Sequence, residues 1–312
     1  MLSRLVSGSV RRSLRLLVAG AVGSAGALCS GCRTAPQQFD SPEQAVDAVV
    51  SALRPEVDRA RLLEIFGSDA KGKVTSGDKV ADSNAIETFL HRFDQSHWIV
   101  EGEADSRILE IGDNRWPFPF RIIPLDGRWE FDIASGIEEV ANRRLGENEL
   151  DSIQALLAVV DAQREYAWMA VDGDGVSHYA RKFVSDPGTR NGLFWPNAPG
   201  EPFSPLGDFA EAAVEEGHER GNGTYHGYRF RILTAPGPGA PGGAIDYMVG
   251  RRLLGRFAVV AWPAEYGKSG VKTFIANHMG VVHERDLGPD TAREVGGIKA
   301  FDPEGWEPVA DL

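Results

Sequence analysis

The chain has 312 residues, 42% of them hydrophobic, and sets 45 acidic against 33 basic side chains for a formal charge of −12 at pH 7. That balance opposes nucleic-acid binding, which needs a basic footprint to replace the counterions around phosphate. A chain of this length buries a substantial core and makes one large or two modest domains.

Residues 1–15 hold Arg4, Arg11, Arg12 and Arg15 and no acid, and Leu16 to Leu28 is a run of Leu, Val, Ala, Gly and one Ser. A basic stretch, a short apolar one and a small-residue exit form an export signal. The run is too short for a membrane-spanning helix, which needs about 20 apolar residues. The segment Leu28-Cys29-Ser30-Gly31-Cys32 resembles a bacterial lipobox, with Cys29 where leucine is usual. The resemblance implies that Cys32 is alkylated by diacylglycerol, that the leader is cut before it, and that its new amino group is acylated. A plain secretory cleavage is the alternative, and Arg11-Arg12 is compared with a twin-arginine signal. Arg33 stands behind Cys32 where an inner-membrane lipoprotein commonly has Asp, which points to the periplasmic side of an outer membrane.

Without residues 1–31, 29 basic and 45 acidic side chains remain, a formal charge of −16. Adhesion to anionic lipid is therefore disfavoured, and a covalent anchor must supply the attachment. No cysteine follows Cys32, so the exported body has no internal disulfide and is held by packing. Thiol catalysis and thiolate metal sites are excluded except through Cys32 itself.

Residues 32–40 read as a polar tether. Ser41-Pro42-Glu43-Gln44 starts a helix, with Ser as N-cap, Pro in the first turn and an acid near the positive end. Ala45, Val46, Val49, Val50 and Leu53 supply its apolar stripe. Pro55 interrupts it, and Leu62, Leu63, Ile65 and Phe66 close a second short helix before Gly67. Ser68–Asp82 reads as loop and Asn84–Phe93 as a further helix. Strands are expected at His97–Glu101, Arg107–Ile111, Pro117–Pro124 and Arg128–Asp132, the last two joined at Asp126-Gly127. They form a small antiparallel sheet on the first helices.

Ile137–Leu145 and Glu149–Tyr166 are two helices separated by Gly146-Glu147-Asn148, with Asn148 capping the second. Gly173–Gly223 is turn-rich, with a short helix at Phe209–Glu216. The remainder is an antiparallel meander of Tyr228–Leu233, Asp246–Val249, Phe257–Trp262, Val271–Ala276 and Val281–Asp286. Alternation of Tyr228 and Phe230 with Arg229 and Arg231 is that of a sheet with one packed and one wet face. The class is α+β, with an N-terminal α+β domain over 41–145 and a helix-plus-sheet domain over 146–312.

Several local motifs resemble those of a bacterial family of unknown function, DUF2950. They are Gly146-Glu147-Asn148-Glu149-Leu150, Val160 to Ala167, Tyr225-His226-Gly227-Tyr228-Arg229-Phe230, Pro241-Gly242-Gly243-Ala244, Pro263 to Val271 and Gly280-Val281-Val282. The resemblance covers most of the exported chain and brings no catalytic residues with it. More loosely, the long helix followed by this sheet resembles the globular head of type IV pilin-like proteins, where a sheet packs on the later half of a long helix. The pilin N-terminal helix is missing, so the likeness concerns fold alone.

Candidate chemistry is sparse. Asp172-Gly173-Asp174-Gly175 places two carboxylates as a calcium loop begins, but Val176 and His178 break the continuation. A solvated turn is the plainer reading. The seven histidines form no H-E-x-x-H, and His278 and His283 flank a turn where they could approach each other or Asp286. Gly267, Ser269 and Gly270 invite comparison with an anion nest, yet no phosphate-loop, dinucleotide or nucleophile-elbow pattern occurs. No cofactor is expected. The favoured expectation is a lipid-anchored cell-envelope protein that binds or scaffolds an envelope protein or polymer, with Cys32 as lipidation site. The alternative is an envelope hydrolase acting on glycan or peptide through paired carboxylates from Asp172, Asp174, Glu265 and Asp286.

Overall fold

The computed structural model describes residues 34–72, 79–196, 200, 202–207, 224–243 and 245–309. Cys32, the leader and the expected helix at Phe209–Glu216 lie outside them. The fold is α+β, with N-terminal helices and a small antiparallel sheet, a long helix, and a C-terminal antiparallel sheet.

Helix α1 (Pro42–Ala52) starts as the sequence predicts, because the Ser41 side chain accepts from the Gln44 N–H at 3.3 Å and Pro occupies the first turn. It buries Ala45, Val46, Val49 and Ala52. Helix α2 (Arg59–Phe66) is capped by Asp58, which accepts from the Arg61 N–H at 2.9 Å. Helix α3 (Lys79–Gln95) begins five residues before the expected Asn84. Strands β1 (His97–Glu101), β2 (Arg107–Ile111), β3 (Trp116–Pro117), β4 (Ile122–Leu125) and β5 (Arg128–Phe131) form a sheet in the order β1-β2-β4-β5, with β3 also on β2. Its core gathers Ile65, Phe66, Leu109, Ile111, Phe120, Ile122 and Phe131.

From Thr34 onward the expected tether is part of this body. Phe39 exchanges backbone hydrogen bonds with Trp129 at 2.7 and 2.8 Å, and the Gln37 N–H donates to the Ile65 carbonyl at 3.2 Å. A buried Phe39 ring in an otherwise polar stretch explains the docking: one aromatic side chain is worth burying, and the backbone follows it.

Helix α4 (Ile133–Met169) runs unbroken for 37 residues, so the expected break at 146–148 does not occur and the boundary drawn at 145/146 falls inside it. Glycine in a helix interior costs roughly 1 kcal/mol, and here tertiary contacts on both sides outweigh that local signal. The first turns of α4 lie on the N-terminal core through Ile133, Ile137 and Val140. Gly136 is required there, since a Cβ would stand 2.0 Å from the Phe120 ring. The later turns bury Ile153, Leu156, Val159, Val160 and Tyr166 in a second core. Long as it is, neither α4 nor any other helix among the described residues is apolar enough to cross a membrane.

That second core is built on strands β6 (Tyr228–Leu233), β9 (Ala258–Pro263), β10 (Lys272–Asn277), β11 (Val282–Asp286) and β12 (Glu307–Pro308), ordered β12-β11-β10-β9-β6 and antiparallel throughout. Strands β7 (Met248–Val249) and β8 (Arg252–Leu253) make a separate ribbon. Tyr228, Val259, Ala261, Phe274 and Ala276 face α4. The other face is covered as well: Leu233, Ala258, Val260 and Ile275 pack against Val295 of a short helix α5 (Thr291–Gly297) and against Phe301. The expectation of one wet face is thus corrected. The continuous apolar run Ala258-Val259-Val260-Ala261 is the pattern of a strand buried on both faces.

Candidate functional site

Helix α4 ends at Ala170 in the left-handed region, φ 44°, and the turn that follows delivers Asp172 and Asp174. Arg252 of β8 meets both, at 3.1 Å from Asp172 Oδ2 and 2.6 Å from Asp174 Oδ2. His178 Nε2 lies 3.0 Å from the same Asp172 oxygen. The Val176 N–H, and then Arg252, hold the Asp174 carboxyl below the usual carboxylate range. A guanidinium therefore sits where the calcium reading would place a metal, and calcium there would have to displace it. Among the described residues no group of three His, Cys, Asp or Glu side chains is placed to hold a metal.

Of the other two candidate carboxylates, Glu265 lies in the hairpin between β9 and β10, and Asp286 ends β11 opposite Lys272, the first residue of β10. Glu265 pairs with Lys268 at 2.7 Å, and that ammonium holds its carboxyl below the ordinary value. Asp286 accepts from the Tyr266 hydroxyl at 3.2 Å and from the Gly288 N–H at 2.7 Å. Consecutive residues thus connect Glu265 to Asp286, while Asp172 and Asp174 are bound to a different ribbon. His278 and His283 are parted: the His278 ring approaches Phe257 of the α4-facing core, and the His283 ring approaches Phe301 on the opposite face.

The convergence that the structure does make is around Asn148 and Glu149. One Glu149 oxygen accepts from two successive backbone N–H groups, Val271 at 2.8 Å and Lys272 at 3.0 Å. Asn148 Nδ2 donates to the Ser269 carbonyl at 2.9 Å, so its expected role as a helix cap is replaced by a tie between helix and hairpin. The Tyr228 hydroxyl donates to the Lys272 carbonyl at 2.8 Å, and burial, with the charges of Glu149 and Glu284, pushes its pKa well up. Two glycines permit the approach. A Cβ on Gly270 would lie 2.1 Å from the Tyr228 hydroxyl oxygen, and one on Gly227 (φ 73°) would lie 2.6 Å from Ser269 Cβ. His226 Nδ1 reaches Asp151 at 3.1 Å. Three of the motif stretches, Gly146–Leu150, Tyr225–Phe230 and Pro263–Val271, therefore meet in one clamp.

A fourth stretch does similar work one helical span further on. Gln163, fully buried, accepts from the Ala180 N–H and donates to the Ala180 carbonyl, both at 2.8 Å. The Tyr166 hydroxyl donates to the Arg190 carbonyl at 2.8 Å, and Arg164 donates to the His278 carbonyl at 3.2 Å. These side chains satisfy backbone groups of irregular segments that have no strand to pair with. Sequence reasoning placed them on a helix face and missed their partners, because a polar side chain inside an amphipathic pattern carries no mark of what it bonds. Chemically, the clamp fixes backbone positions; its tyrosine hydroxyl donates to a carbonyl, and its carboxylate accepts from amides.

Residues 36–309 match the family model described as Protein of unknown function (DUF2950), and the chain belongs to that family. No curated protein and no solved structure matches.

Proposed function

We propose that this member of the DUF2950 family is an exported cell-envelope protein, lipid-anchored through Cys32, that binds or scaffolds another envelope component. The observation that carries the reading is the start of the chain: four arginines without an acid, an apolar run, and Ser30-Gly31-Cys32 at its exit. Acylation at two positions gives stable attachment where a single chain gives only marginal binding. An acidic body supports a covalent anchor over electrostatic adhesion, and Arg33 behind Cys32 favours the outer membrane. The likeness to pilin heads is supported only by the arrangement of sheet on the later half of a long helix.

Two of the four candidate carboxylates favour a binding role over glycan hydrolysis through them. A glycosidase needs one carboxyl that keeps its proton near neutrality. Asp174 and Glu265 are instead held low, by the Val176 amide with Arg252 and by Lys268. The test is metabolic labelling with a fatty acid, in which the wild-type chain takes up label and Cys32→Ala does not. Equal label in both would sink the anchor. Crosslinking and pull-down from envelope membranes tests the partner, and recovery of none under several conditions would count against a scaffold.

A further inference from the structure

We infer that the anchored protein is seated directly on the bilayer, with the turn that follows α2 as the surface meeting the phospholipid headgroups. This rests on the reading that Cys32 is acylated. The segment that would otherwise act as slack is fastened to the body. The Thr34 N–H donates to Ser68 Oγ at 3.1 Å, and the Ser68 N–H donates back to the Thr34 carbonyl at 3.0 Å. Gly67 lies beneath at φ 75°, where a Cβ would come within 2.7 Å of the Thr34 carbonyl oxygen. Gln37 and Phe39 continue the attachment onto α2 and β5.

Reach then fixes the geometry. Two residue steps separate Cys32 from Thr34, and an extended chain spans at most about 7 Å over that distance. An acylated Cys32 sits at the boundary between headgroups and acyl chains, so Thr34 and the turn bonded to it are held at headgroup level. The surface suits that position. Thr34, Ala35, Asp69, Lys71 and Gly72 are exposed, and none is a large apolar side chain that would insert. Lys71 adds a cation there, while the exported chain as a whole has an excess of acid. The occupant is a phospholipid headgroup surface, and zwitterionic lipid suffices because the covalent anchor supplies the attachment.

The experiment uses the full lipidated protein in phosphatidylcholine vesicles that carry a contact-range nitroxide quencher on the headgroup. Cys32 is blocked by its thioether and Cys29 leaves with the leader, so Lys71→Cys offers a single thiol for a fluorescent dye. Ala35→Cys provides a second exposed position should the first variant fold poorly. The label is expected to lose most of its emission on reconstitution. Ten Gly/Ser residues inserted between Arg33 and Thr34, with an average span of roughly 17 Å, should restore most of it while the protein still floats with the vesicles. Protein that floats with unquenched dye, or with the same quenching whether or not the linker is present, would overturn the seating and leave the anchor standing. Protein that carries no acyl group and does not float would overturn both.

Discussion

The two ends of α4 are held by different physics. At its start the packing is aromatic: Phe66 lies 5.1 Å from both Phe120 and Phe131, Phe118 joins them, and Arg107 and Arg143 cover Trp129 and Trp116 at the rim. Such contacts bury much area. At its end the sheet contributes Val, Ala and Phe, and the positions are set by polar side chains that grip backbone: Glu149, Gln163, Tyr166 and Tyr228. Arg231 adds a further grip by donating to the Val295 and Ile298 carbonyls at the end of α5, at 2.6 and 2.7 Å. Apolar burial decides that two elements meet, and directional bonds decide in what register. The local motifs that carry the family resemblance lie in the region where register is fixed by side chains.

The largest effect expected from this contrast is at Gln163. Replacement by leucine keeps the volume but strands the buried N–H and C=O of Ala180, at about 1–3 kcal/mol for each unsatisfied group. Gln163→Leu should therefore lose roughly 3 kcal/mol of unfolding free energy, seen as a lower urea midpoint at unchanged slope. A loss below about 1 kcal/mol, the size of a helix cap, would mean that water takes over the bonds and that the two ends do not differ as described.

Next comes the continuity between the ends. Glu147 is exposed in mid-helix, so Glu147→Pro removes one helical hydrogen bond and clashes with the preceding turn, at about 3 kcal/mol. If α4 is what couples the aromatic core to the sheet core, calorimetry should show one transition for the wild type and two for the variant. A single transition in both would show that the two regions stay coupled without an unbroken α4.

Much of this architecture was legible in the residues. Ser41-Pro42 placed the first helix, Asp126-Gly127 the hairpin of β4 and β5, and the apolar runs placed β6, β9, β10 and β11 within one residue, while the short edge strand β12 was not expected. What was hidden follows from one cause. Gly146-Glu147-Asn148 has the local chemistry of a break, and only Ser269 and Val271, more than a hundred residues away, convert Asn148 and Glu149 into a tie that keeps the helix whole. The layer over the second face of the sheet was hidden likewise, because α5 is a seven-residue helix with no apolar period of its own. Asp172 and Asp174 offered a weak calcium pair beside the plainer solvated turn because their spacing is local, while their partner Arg252 is eighty residues from Asp172.

Acid sharpens the comparison most gently. His278 and His283 each bury an Nδ1 with no hydrogen-bond partner, and both belong to the second region, on its two faces. Burial pushes both pKa values below the ordinary histidine range, and the charges of Arg256 and Arg164 act in the same direction on His278. Between the folded value and the unfolded value near about 6.5, the unfolded chain binds more protons, so stability rises with pH. The contribution of these rings is full above about pH 6.5 and is lost as pH falls through their folded values. Asp132, which caps α4 in the first region, behaves differently. Desolvation opposes its ionisation, but bonds from Ser135 and Arg121 outweigh that and hold it below the carboxylate range, so its contribution fades only once pH falls under about 4. Urea midpoints taken from pH 7.5 to pH 5 should therefore decline for the wild type and stay flatter in His278→Asn/His283→Gln. Because Asp132 of the aromatic region is held below the carboxylate range, a decline that persists undiminished in the double variant would place the acid-sensitive groups elsewhere than at His278 and His283.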